Sequence, residues 1–137
     1  MKPLCIILSL LLGYTLNVMQ PINNIYKIID KANKFQELNK KEMYILLSSY
    51  KTDENNVELS QYRAFGISSI AQDHKNSITL LCILKNNSCL FSEDFYENLC
   101  YDMTFSEEIE KVIDNLKRIH GYGDIKTKIL SKLELLR

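Results

Sequence analysis

Two histidines, His74 and His120, are the only side chains whose ordinary pKa lies near neutrality, and they are flanked by Asp73 and Gly121 rather than by metal-ligand partners. Neither belongs to an H-x-x-x-H spacing, and the cysteines Cys82, Cys89 and Cys100 form no C-x-x-C, so the pattern argues against zinc. A Cys–His nucleophilic pair would have to be assembled in space, since such partners need not be close in sequence. Without a local signature the residues read as structural cysteines and surface histidines. Asp94 with Glu97, or Glu107 with Glu110, would put two carboxylates on one helix face, as general acid–base hydrolysis requires. Pairs at this spacing more often solvate a helix. No G-x-S-x-G, phosphate-binding glycine loop or dinucleotide fingerprint is present. The expectation is therefore a non-enzymatic protein with no catalytic residues, no metal and no cofactor.

The chain has 137 residues, 46% hydrophobic and 25% charged, an ordinary composition for one globular domain. Seventeen Lys plus Arg balance seventeen Asp plus Glu, so net charge gives no reason to expect a nucleic-acid partner. The charges are unevenly placed. Leu90 to Glu110 holds seven acids and no base, whereas Lys111 onward holds seven bases and three acids. Helix-dipole matching explains much of this, with Glu107, Glu108 and Glu110 near one N-terminus and Lys117 and Arg118 near the following C-terminus. The sharper reading is a basic binding face of Lys117, Arg118, Lys126, Lys128 and Lys132, suited to an acidic receptor, glycan or anionic lipid surface.

Met1-Lys2-Pro3 and the apolar run Leu4–Leu12, followed by Gly13, have the plan of a signal peptide. The run is shorter than the roughly 18 to 20 residues that span a bilayer, so cleavage is favoured over a permanent membrane span. The organisation expected is 1–18 as signal, with an uncertain cut at Gly13, Thr15 or Val18, and 19–137 as one secreted, extracellular domain.

Loss of Cys5 with the signal leaves three cysteines, enough for at most one intrachain disulfide, with one thiol left to be buried, reactive or shared in a disulfide-linked homodimer. Cys82–Cys89 is favoured, and Cys89–Cys100 stays open. The C-x6-C stretch Cys82–Cys89 resembles the spacing in insect chemosensory proteins, and that resemblance implies a small secreted helical fold enclosing an apolar ligand. Cys100 follows after only ten residues, the family's final C-x-x-C is missing, and the long segment before Cys82 does not fit. Between the two cysteines Asn86-Asn87-Ser88 is an N-x-S glycosylation sequon, whose use would hold this loop in solvent and shield that side from a tight partner.

The elements that must carry these residues read as helices. Pro21 and the spacing Ile22, Ile25, Ile29, Ala32 and Phe35 predict a helix over 21–36. Asn39 with Glu42 predicts a capping box ahead of Met43, Leu46, Leu47 and Tyr50. Residues 52–56 read as a loop, and 57–71 as a helix in preference to a short strand. Ile78–Leu84, apolar nearly all round, predicts a fully buried central helix. Ser92 caps a short helix carrying Phe95, Tyr96 and Leu99, and Thr104 with Glu107 repeats the capping-box spacing before Ile109. Gly121 ends that helix, and Asp124 is placed to cap the last. The fold class expected is all-α, a single small domain of about six helices.

Two functional classes fit such a domain. One is a cytokine-like, venom or salivary effector that binds an extracellular protein or receptor. The other is a carrier of a small apolar ligand, with Ile78, Leu81, Phe95 and Tyr96 as pocket wall.

Overall fold

A computed structural model describes residues 22–52 and 56–137. The signal-peptide reading falls on residues outside these. Among the described residues seven α-helices follow in order: α1 Ile22–Asn33, α2 Lys40–Thr52, α3 Val57–Gln72, α4 His74–Asn86, α5 Glu93–Met103, α6 Ile109–Lys117 and α7 Gly123–Leu136, with a 3₁₀ turn Ser88–Leu90 before α5. Among the described residues there is no strand. The all-α expectation holds, with one helix more than about six.

Local chemistry sets most of the helix starts. The side chain of Asn39 accepts from the backbone N–H of Glu42 at 2.8 Å, and the Glu42 carboxylate accepts from that of Asn39 at 3.0 Å, so the expected capping box is made. Asn56, Asp73 and Ser92 cap α3, α4 and α5 by accepting from the N–H of Leu59, Asn76 and Phe95. Helix α1 stops earlier than the expected 36, because Phe35 enters the left-handed region at φ 57°. There Gln36 N–H donates to Lys31 C=O and Phe35 N–H to Ala32 C=O, the bond pattern of a Schellman end.

Three starts differ from the sequence reading. Thr104 and Glu107 do not form a capping box: the Thr104 hydroxyl donates to Tyr101 C=O, closing α5, and Glu107 is left-handed at φ 60°. Helix α6 begins at Ile109 with no side-chain cap. The intervening turn is held by Ser106, which contacts Ser68 and accepts from Gln72, both on α3, so tertiary contacts override the local signal. At α7, Tyr122 at φ 57° is the capping residue and Asp124 lies inside the first turn. Helix α4 starts at His74 and is not buried all round, since Ile78, Thr79 and Cys82 are half-buried while Leu80, Leu81, Ile83 and Leu84 are buried.

Helix α3 is the centre of the molecule and packs on α1, α4, α5 and α6, while α2 lies beside α1 and α4 and α7 closes over α4, α5 and α6. Helices α1 and α3 approach closely: a Cβ built on Gly66 would lie 3.1 Å from the Ile29 methyl. Buried side chains of all seven helices form one apolar core. Polar residues fix the register. Fully buried Asn76 accepts from Leu38 N–H at 2.8 Å and donates to Gln36 C=O at 2.9 Å, clamping the link between α1 and α2 onto α4. Asn115 of α6 donates to Ala71 C=O and to the Ser77 hydroxyl, which in turn donates to Ile70 C=O.

Candidate functional site

The four residues expected to line an apolar pocket are mostly core. Leu81 is fully buried, Phe95 and Tyr96 are nearly so, and Ile78 is half-buried. Phe95 stacks on Phe91 with centroids 4.4 Å apart and meets Tyr50 and Tyr96 edge-on at 5.4 and 5.5 Å. These rings therefore pack on one another. The Tyr96 hydroxyl is buried without a hydrogen-bond partner, and burial pushes its pKa up to about 12.

A charged group that the sequence reading passed over lies beside these rings. Arg63 of α3 is buried, with its guanidinium 3.9 Å above the Tyr50 ring and one nitrogen donating to the Ser49 hydroxyl at 3.0 Å. The Tyr50 hydroxyl donates to Asp102 at 2.5 Å. Burial, reinforced by the Asp102 charge, raises the Tyr50 phenol well above its ordinary range against the opposing pull of Arg63. Burial also raises the Asp102 carboxyl, and Tyr50 and Arg63 offset only part of that shift. These residues join α2, α3 and α5 through one polar contact chain. Their spacing in sequence gives no hint of it, and only the rarity of a lone arginine on an otherwise apolar helix face could have pointed there.

The proposed basic face is largely engaged within the molecule. Lys128 pairs with Glu93 and stands 4.4 Å from the Tyr96 ring centroid, while Lys132 contacts Glu97 at 2.5 Å and Glu93 at 3.4 Å. Lys126 donates to Ile119 C=O. Lys117 and Arg118 are exposed at the end of α6. The acidic segment and the basic C-terminal segment thus meet across the α5–α7 seam, and Arg137, after α7, pairs with Glu110 of α6 and Glu134 of α7.

The cysteines correct the favoured pairing. Cys82 and Cys100 are free thiols, so neither Cys82–Cys89 nor Cys89–Cys100 is formed. The C-x6-C loop on which the chemosensory resemblance rested is therefore not closed. Cys100 is buried under α7. His74 and His120 are exposed, and among the described residues no three His, Cys, Asp or Glu side chains cluster as metal ligands. Of the carboxylate pairs, Glu97 and Glu110 are drawn into ion pairs with Lys132 and Arg137.

Two surface clefts lie among the described residues at the ends and seam of α7. One of about 390 Å³ lies between the end of α4 and the start of α7, lined by Lys85, Ser88, Tyr122, Gly123, Asp124 and Ile125. The other, about 260 Å³, lies along α5 and α7, where Tyr101, Leu135 and Leu136 meet Glu97 and Lys132. Neither is lined by Ile78, Leu81, Phe95 or Tyr96. No helix among the described residues is long and apolar enough to cross a membrane. Comparison of the chain with protein-family models, with curated proteins and with solved structures finds no match.

Proposed function

We propose that this chain is a secreted, extracellular helical protein that acts by binding a protein or receptor and catalyses no reaction. The observation that supports this reading is the apolar surface beside the α5–α7 cleft, where Tyr101 is 62%, Leu135 88% and Leu136 45% exposed. Large apolar side chains grouped around a small cleft are what a partner would cover, with the Glu97–Lys132 pair as polar rim. The signal at 1–18, its removal in secretion and a glycan on Asn86 belong to the same proposal. The carrier reading draws less support, because Leu81, Phe95 and Tyr96 are packed in the core.

The test uses labelled protein recovered from the medium of secreting cells, wild type and Tyr101→Glu/Leu135→Glu. Expected is saturable binding to intact cells that is abolished when the cells are first treated with protease, and at least about tenfold weaker binding by the variant, the loss of a central anchor contact. Non-saturable binding, or equal binding by the variant, would overturn the reading. A small apolar adduct retained in native mass spectra, displaced by a fluorescent fatty acid, would replace it with the carrier.

A further inference from the structure

We propose that the cleft between α4 and α7 is a carbohydrate subsite filled by the N-linked glycan of Asn86 on the same chain. The inference rests on the secreted reading and adds what that glycan does. Asn86 is the last residue of α4 and is exposed, as is Ser88, whose hydroxyl completes the sequon. Lys85 and Ser88, on either side of the acceptor in sequence, both line the cleft, so a sugar attached at Asn86 starts at its edge.

The lining has the chemistry that a pyranose ring needs. Such a ring offers an apolar face of C–H groups and a rim of hydroxyls. Tyr122 and Ile125 supply apolar surface, while the Asp124 carboxylate accepts, the Lys85 ammonium donates and the Ser88 hydroxyl does either. Tyr122 is held here in an unusual way: it is left-handed at φ 57°, between Gly121 at φ 87° and Gly123. A bulky residue in that region is an outlier that the surroundings must impose. Tyr122 packs partly on the core and partly lines the cleft. The Lys85 ammonium stands 5.7 Å from its ring centroid, near the outer limit of a cation–π contact, so a sugar can displace it at little cost.

In the attachment step Nδ2 of Asn86 attacks the anomeric carbon of a lipid-diphosphate oligosaccharide in the secretory pathway. The N–C bond forms, the bond from that carbon to the diphosphate oxygen breaks, and the amide gives up one proton while the lipid diphosphate leaves. Asn86 Nδ2 donates to Cys82 Sγ at 3.4 Å, and the one N–H left after glycosylation is enough to keep that contact.

The experiment expresses the full chain in secreting eukaryotic cells, with its own N-terminus and, in parallel, behind a strong heterologous leader. Intact mass is measured before and after an amidase that removes the whole glycan, and hydrogen exchange is followed over residues 121–125. Expected are a mass increment that is lost on treatment and absent in Asn86→Gln, and exchange over 121–125 at least about twofold slower with the glycan than without it. The difference should vanish in Tyr122→Asn, since asparagine tolerates the left-handed backbone but lacks the ring. Secreted protein without the increment, or a glycan that leaves exchange over 121–125 unchanged, would overturn the inference. Failure of only the native N-terminus to reach the medium would count against the secreted reading, while the heterologous form still reports on the cleft.

Discussion

Burial raises the thiol of Cys100 up to about 12, with Glu97 adding to the rise and Lys132 opposing it, so at neutral pH it is held as an unreactive thiol. Cys82 lies half-buried on α4. Under native conditions iodoacetamide should therefore label Cys82 at least about tenfold faster than Cys100, the order expected when only one thiol must wait for local opening. Peptide mapping would read the two rates, and comparable rates would show that α7 does not cover Cys100. Residue chemistry was legible from the sequence where partners are neighbours, as in Asn39 with Glu42 and Ser92 with Phe95. It was not legible for Asn76 or Arg63, whose partners come from other helices. A buried amide that pairs with two distant backbone groups leaves no periodic trace. Nor does spacing show whether a cysteine finds another cysteine.

Helix α3 tolerates its central position because Gly66 lets α1 approach. A valine there would press on Ile29, which is fully buried and stiff at χ1, so Gly66→Val should destabilise the fold by about 1–3 kcal/mol. Chemical denaturation would measure it, and an unchanged midpoint would mean that the two helices part without cost. Gly66→Ala is the milder companion, in which a gain in helix propensity of up to about 1 kcal/mol works against the same contact. At this scale the periodicity of 57–71 left helix and short strand both open, and the length of the segment favoured the helix that α3 is. The start of α6 was not recoverable, since Thr104 and Glu107 carry a capping-box spacing that the turn does not use once Ser106 is tied to α3. Two segments with the same local signal can thus begin differently when one is held from outside.

Across the whole molecule the acidic stretch and the basic C-terminal helix neutralise one another. Lys128 and Lys132 face Glu93 and Glu97, and Lys126 closes onto a backbone carbonyl, which leaves Lys117 and Arg118 as the exposed remainder of the basic face. The protein should pass through a heparin column at low ionic strength. Glu93→Gln/Glu97→Gln should be retained and eluted by moderate salt, because its lysines lose their internal partners. Retention of the wild type would mean that these pairs yield to an external polyanion. The total charge balance was visible in the sequence, but its internal destination required the α5–α7 contact. The tyrosines have an optical consequence as well. The chain contains no tryptophan, so its ultraviolet emission comes from its tyrosines, and two of these, Tyr50 and Tyr62, donate hydrogen bonds from their hydroxyls to the carboxylates of Asp102 and Asp30. An excited phenol is a far stronger acid than one in the ground state. The folded protein thus holds two ready routes for proton transfer to carboxylate, and its emission spectrum should carry a red-shifted tyrosinate band that fades as denaturant separates the helices.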